Sequence, residues 1–459
     1  MTALTRLTAL ELSEAIHRRS VSCVEVMDAF LERINELNPD LNALVGLMTP
    51  EACSAMAREA DKQLARGNRS GWLHGIPIAI KDLFNAKGFV TAFGSPLLSS
   101  VAAQQDDPHV ARLRAAGALI IAKTNVPEAG LGGHTDNALY GLTRNGLDRN
   151  LSAGGSSGGA ATAVASRMLP LADGSDMMGS LRTPAAFQGI VGYRASIGAI
   201  PAARDADSQG LGLTSIGAMA RNVSDVSALF TTLSNDRGAE AQNPPPDTER
   251  LDGLNIGWLG DADSRWPMAD GLLSQCQRAL ENLQGLGAHI DFCPLSFSLA
   301  DLWVCWLTLR QHSLLPDRAL YDDPRSRSLM SDSWRWEIEQ GIQRKGSDLS
   351  TAETLRRDWL VTVETLFQQY DVLAAPAAQV FPFHAEAGPP AAIEGTALDT
   401  YHQWLAISVP ASLAGLPVIS LPIATASATK MTGIQLMMPR GRDYDLLSIA
   451  TKVEPALLA

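Results

Sequence analysis

Hydrophobic positions at helical spacing open the chain. Val26, Phe30, Ile34 and Leu37 recur every three to four residues. Thr8-x-x-Glu11 and Ser22-x-x-Glu25 have the form of capping boxes, so residues 8–37 are expected to form two helices that stop at Asn38-Pro39. The pattern then changes period. Ile76, Ile78 and Ile80 alternate, which predicts a short buried strand with Lys81 and Asp82 at its C-terminal end. Val110–Ala116 reads as a helix closed by Gly117, and Ala118–Ala122 as the strand after it. A second such unit follows the Asn243–Asp247 loop: a strand over Leu254–Leu259, a helix carrying Leu272, Cys276, Leu280 and Leu283, and a strand over Ala288–Phe292. Asp371–Pro376 and Ile419–Pro422 read as late buried strands. Helix and strand alternate throughout, which predicts an α/β architecture.

Composition narrows this picture. The 459 residues are 46% hydrophobic and 19% charged, which excludes a disordered or fibrous chain. The length permits up to about three domains or one large one. A net charge of −12 without a basic cluster argues against nucleic acid or an anionic membrane as partner. No run approaches the ~18 apolar residues of a membrane span, and the N-terminus lacks the form of a signal peptide. Cys23, Cys53, Cys276, Cys293 and Cys305 are an odd number without a CxxC pair, so they read as reduced thiols of a cytoplasmic protein. Seven of the nine tryptophans fall between 258 and 359; they serve either helix packing or an aromatic-walled pocket.

Glycine is concentrated between residues 130 and 190, and the candidate chemistry lies there. Gly154-Gly155-Ser156-Ser157-Gly158-Gly159 precedes the small-residue run 160–165. A glycine-rich turn opening a helix could cradle a phosphate, but the P-loop lysine and the dinucleotide G-x-G-x-x-G pattern are both missing. A second turn follows at Asp173-Gly174-Ser175-Asp176-Met177-Met178-Gly179-Ser180-Leu181-Arg182-Thr183-Pro184-Ala185. Together with Lys81, these two turns resemble the amidase signature family of serine amidohydrolases. Ser156 and Ser180 stand 24 positions apart, as in the family pattern. Further matches are Ala122–Glu128, Thr143-Arg144-Asn145, Ala414-Gly415-Leu416-Pro417 and Gly433-Ile434-Gln435, so the resemblance covers nearly the whole chain.

The resemblance implies one α/β domain over 1–459 with a central mixed sheet covered by helices. Within it lie N-terminal helices at 8–37, a catalytic core at 70–230, a variable segment at about 240–370 and core strands at 371–459. It implies hydrolysis of a carboxamide to carboxylate and ammonia or amine, without cofactor or metal. Ser180 would attack the carbonyl, Ser156 would relay the proton after a cis Gly155–Ser156 peptide, and Lys81 would be the base. A lysine acts as a base only when neutral, and the end of an apolar strand is a desolvating place for it. Backbone N–H groups of Met177, Met178, Gly179 and Ser180 would hold the oxyanion. Asp176 and Arg182 are expected to brace the turn. Ser157 either assists the relay or only bonds the loop, and His134 is a weaker pocket candidate.

One departure touches the site. Met178 stands where the family has glycine. A positive φ there would strain it, whereas a negative φ would keep the donor and narrow the acyl pocket. Other expected activities are an amide-transfer component of a tRNA-dependent amidotransferase and a homologue impaired by Met178. The partner expected is a small amide; homo-oligomerisation stays open, and the tryptophans point to an aryl or bulky apolar group.

Overall fold

The computed structural model describes residues 2–98, 100–202, 211–234, 251–425 and 427–459. The Asn243–Asp247 loop lies outside them. The chain opens with helices α1 (Ala9–His17), α2 (Cys23–Leu41) and α3 (Pro50–Ala65), with strand β1 (Leu44–Val45) between the last two. Both capping boxes form: Thr8 and Ser22 accept from the N–H of Glu11 and Glu25, whose carboxylates bond back. Helix α2 does not stop at Asn38-Pro39 but runs on to Leu41. Proline so close to the end loses a single helical bond, and the helix closes one turn later, where Asn42 turns left-handed and donates its N–H to Asn38.

Strand β2 (Pro77–Lys81) pairs in parallel with β3 (Leu119–Thr124), and β1 flanks β3 antiparallel. Helix α4 (Pro108–Ala115) connects the two parallel strands and ends at Gly117, φ +95°. The larger sheet begins with β4 (Leu171–Asp176), β5 (Val191–Arg194) and β6 (Ser215–Ala220). Then come β7 (Asn255–Trp258), β8 (His289–Phe292) and β9 (Val372–Pro376), a small hairpin of β10 (Ala392–Ile393) and β11 (Thr396–Ala397), and finally β12 (Val418–Pro422) and β13 (Gly433–Met437). Eight of these form one sheet in the order β4-β6-β5-β12-β13-β9-β7-β8, antiparallel as far as β9 and parallel beyond it. This is an α/β domain on a large mixed sheet.

The helices over it are α5 (Gly158–Ala165), α6 (Arg182–Gln188), α7 (Val223–Ser234), α8 (Leu272–Gly285), α9 (Leu299–Ser313), short α10 (Arg318–Asp322) and α11 (Pro324–Leu329), α12 (Asp332–Gln343), α13 (Gly346–Leu366), α14 (Val409–Ala414) and α15 (Asp443–Leu457). Leu272, Cys276, Leu280 and Leu283 are buried on α8, the stripe its spacing predicts. Among the described residues no helix is long and apolar enough to cross a membrane. All five cysteines are buried free thiols.

The two sheets meet without a ladder between β2 and β4. A side chain joins them: the Lys81 N–H donates to Asp173 Oδ1 at 2.9 Å, and Asp173 Oδ2 faces His109 Nε2 of α4 at 3.2 Å. The strand-end lysine is thereby held beside the strand that leads into the second glycine-rich turn.

Candidate active site

The apolar alternation of β2 buries the strand completely and takes Lys81 with it, at 0% exposure. Its amine is surrounded by oxygens. Lys81 Nζ stands 2.9 Å from Ser156 Oγ, 2.8 Å from Ser157 Oγ, 3.0 Å from Ser175 Oγ and 3.2 Å from the Ser175 carbonyl. Burial drives its pKa down from the ordinary lysine value to about 7, against the pull of Asp176 and Asp173. A neutral amine can accept a proton from a serine hydroxyl, and Ser156 is in reach.

Ser156 follows a cis Gly155–Ser156 peptide and precedes α5. That helix lies close against the backbone of Asn125 and Ala43 because Gly159 has no side chain. A Cβ there would meet Asn125 N at 2.4 Å and Ala43 O at 2.5 Å. Ser157 bonds on two sides, accepting from Lys81 and donating to the Ser175 carbonyl at 3.3 Å.

Strand β4 delivers the second turn. Asp176 sits at its end with no exposure and accepts the N–H of Gly179 at 2.8 Å and of Leu181 at 3.1 Å. Arg182 clasps the same carboxylate with Nε at 3.0 Å and Nη2 at 2.8 Å. Burial alone would raise the Asp176 pKa; Arg182, Arg194 and the N–H donors hold it well below the usual carboxylate range instead. Arg182 directs its remaining donors to Ser408 O, Gln435 Oε1 and Ser412 Oγ, which ties the turn to α14 and β13. It faces no cleft.

The turn exposes backbone donors. Among the described residues, no protein acceptor takes the N–H of Met177, Met178 or Ser180. The Gly179 N–H, expected as a fourth free donor, is not free, because Asp176 holds it. The left-handed position is Gly179, φ +87°, where a Cβ would meet Thr183 Oγ1 at 2.9 Å. Met178 is not among the positive-φ residues, so the missing glycine costs no backbone strain.

Ser156, Ser175, Met177, Met178 and Ser180 line one cleft of about 590 Å³, its mouth included. Ser180 Oγ has no hydrogen-bond partner among the described residues, so the expected Ser180–Ser156 contact is not closed in this structure. Catalytic hydrogen bonds often tighten only around a substrate.

The same cleft is lined by residues that the sequence reading missed: Arg310 of α9 and His402. An arginine in the apolar run of α9 was the available signal. The tryptophans do not wall the cleft. Trp306, Trp334 and Trp359 are buried in helix packing, while Trp303 and Trp336 lie behind His402. His134 bonds Ser152 Oγ at 2.8 Å and faces a neighbouring hollow instead. The other matched motifs brace loops: Asn125 Nδ2 donates to Thr143 Oγ1 at 2.9 Å, and Asn145 Nδ2 to the Phe187 carbonyl at the same distance. Among the described residues no three His, Cys, Asp or Glu side chains gather as a metal set would.

The family model described as Amidase matches residues 25–447. The chain is 31% identical to the acylamidase of Rhodococcus erythropolis over 98% of its own length and 95% of that protein. It is also 31% identical to a glutamyl-tRNA(Gln) amidotransferase subunit from Acidothermus cellulolyticus, over 99% and 95%. A crystal structure of an amidase superposes with a TM-score of 0.87 at 26% identity, covering 98% of this chain and all of that one.

Proposed function

Because this chain belongs to the amidase signature family, and is thereby an amide-hydrolysing enzyme, we propose that it cleaves its amide through an acyl-enzyme on Ser180. One observation carries the reading: a fully buried lysine amine, brought to a pKa of about 7, lies 2.9 Å from the Ser156 hydroxyl in the same cleft as Ser180. An amide resists attack because its carbonyl is resonance-stabilised and its leaving group is poor, so hydrolysis needs a strong nucleophile, an oxyanion site and a proton for the nitrogen.

Neutral Lys81 takes the Ser156 proton while Ser156 takes that of Ser180, whose oxygen adds to the carbonyl carbon. The Ser180 hydroxyl turns toward Ser156 to enter this relay. The resulting oxyanion is met by the N–H groups of Met177, Met178 and Ser180, each such donor being worth about 10²–10³ in rate. As the carbon–nitrogen bond breaks, Ser156 protonates the amine and is resupplied by the Lys81 ammonium. Water then adds to the ester and gives its proton to the same relay, releasing the carboxylate and restoring Ser180.

Ammonia release from simple carboxamides tests this. Ser180→Ala lowers kcat by at least about 10⁴-fold while circular dichroism and melting stay those of the parent. Full activity in that variant overturns the proposal. The likeness to an amidotransferase component favours a second reading, in which the amide nitrogen passes to a tRNA-bound acceptor with partner subunits. Turnover of simple amides by the isolated chain decides against it; inactivity alone with co-purifying subunits decides for it.

A further inference from the structure

The lining of the cleft carries an arrangement that the reaction itself does not use. Arg310 is 4% exposed and charged, with its Nε 2.6 Å from Glu337 Oε1. Burial opposes that charge, but Glu337 and then Tyr401 raise the guanidinium pKa above its ordinary value. Arg310 Nη2 donates to Tyr401 Oη at 3.0 Å, and Tyr401 Oη donates to Glu337 at 2.9 Å, so the fork is fixed in direction. Among the described residues its Nη1 meets only a sulfur, Met177 Sδ at 3.4 Å, a weak acceptor. A guanidinium with an unused donor on a cleft wall is set to bind an oxygen.

His402 faces the same cleft. It is 1% exposed, and among the described residues neither Nδ1 nor Nε2, both closed off from solvent, has a hydrogen-bond partner. The rings of Tyr401, Trp303 and Trp336 pack around it at centroid distances of 4.4, 5.4 and 6.1 Å and hold it in place. Burial, then the Arg310 charge, push its pKa well below the ordinary histidine value, so it is neutral and offers one N–H and one lone pair. A buried ring with two unused polar atoms is costly unless something binds there.

Charge selects the class of occupant. Arg310 and Glu337 cancel and His402 is neutral, so the wall carries direction without net charge. A carboxylate would bury one uncompensated negative charge, whereas a neutral group with an acceptor and a donor satisfies Nη1 and His402 together. Met177 touches Arg310 by its sulfur and offers its N–H to the proposed oxyanion, so this wall is one methionine side chain from the reacting carbonyl. We infer that the substrate carries a second, neutral carboxamide a few atoms from the scissile one, and that Arg310 and His402 read it. This rests on the amidase reading above.

Succinamide, succinamate and pentanamide have similar length and differ at the far end: carboxamide, carboxylate and alkyl. Ammonia release by the wild type gives kcat/KM highest for succinamide, by about tenfold over the other two and chiefly through KM. Calorimetry on Ser180→Ala protein gives the same order of affinity without turnover. His402→Phe, which keeps the ring packing, and the charge-matched Arg310→Met/Glu337→Gln double variant both bring the succinamide-to-pentanamide ratio close to one. A wild type that hydrolyses pentanamide as well as succinamide, or prefers succinamate, overturns the inference and leaves the amidase reading intact. Tighter binding of succinamide without hydrolysis of any amide supports the inference and overturns the amidase reading. Equal affinities in the calorimeter overturn it whatever the turnover.

Discussion

A lysine stripped of water favours its neutral form, since nothing in an apolar strand replaces the lost hydration of the ammonium. Lys81 bears that cost at the end of β2, and the Asp176 and Asp173 charges near it recover only part. In the proposed relay only the neutral amine works. The rate therefore falls about tenfold per pH unit below a pKa of about 7 and levels off above it, in a kcat/KM profile on a neutral amide. A flat profile from about pH 5 to 9 rules out Lys81 as the base. Met178 raises a separate question. With no positive φ its N–H stays available, and its side chain occupies cleft wall. Met178→Gly should leave kcat on small amides within about threefold and speed branched or aryl acyl groups at least about fivefold. A gain of about tenfold on the smallest amide would mean that methionine impairs the oxyanion site.

Elements matter here by how closely they approach. Helix α5 rests on the backbone of Asn125 and Ala43 with no room for a methyl group at Gly159, where three backbone atoms would lie within 2.7 Å of a Cβ. Gly159→Ala should destabilise the fold by at least about 1–3 kcal/mol, because backbone cannot swing aside as a side chain would. Melting below the parent by several degrees, together with lost activity, checks this; an unchanged Tm refutes the close approach. The run Gly154–Gly159 was legible because such contacts leave glycines in the sequence. The strands β2, β3, β7, β9 and β12 were legible because burial makes them predominantly apolar, whereas β8, an exposed edge strand, was legible only from its place after a helix that ends at glycine. Pro39 was misread, since a local rule does not weigh how near the helix end already is. Arg310 and His402 were missed for another reason. Each gains its meaning only from α9 and the segment before α14 folding over a turn that neither adjoins in sequence. Of the tryptophans dense in the sequence, Trp306, Trp334 and Trp359 went to packing between helices, and Trp303 and Trp336 to the ring of His402.

At the scale of the molecule, the site sits where two sheets meet without backbone pairing. Asp173 performs the joining: one oxygen takes the Lys81 N–H and the other faces His109, all three with no exposure. The same carboxylate acts on Lys81 electrostatically, since Asp173 is one of two charges that hold the lysine pKa up against burial. No sequence rule assigned this double role, because it depends on β4 lying beside β2. It separates into two measurements. Asp173→Asn keeps an oxygen for the Lys81 N–H but removes the charge, so the Lys81 pKa falls further. The acidic limb of the kcat/KM profile should then move to lower pH, and the fraction of plateau activity retained at about pH 6 should rise. Asp173→Ala removes the acceptor as well and strands a buried N–H, at a cost of about 1–3 kcal/mol. Its Tm should therefore drop by several degrees more than that of Asp173→Asn. An acidic limb that stays put in Asp173→Asn would mean that Asp173 is a structural tie alone. Equal Tm values for the two variants would mean that the sheets are held together by their packing without it.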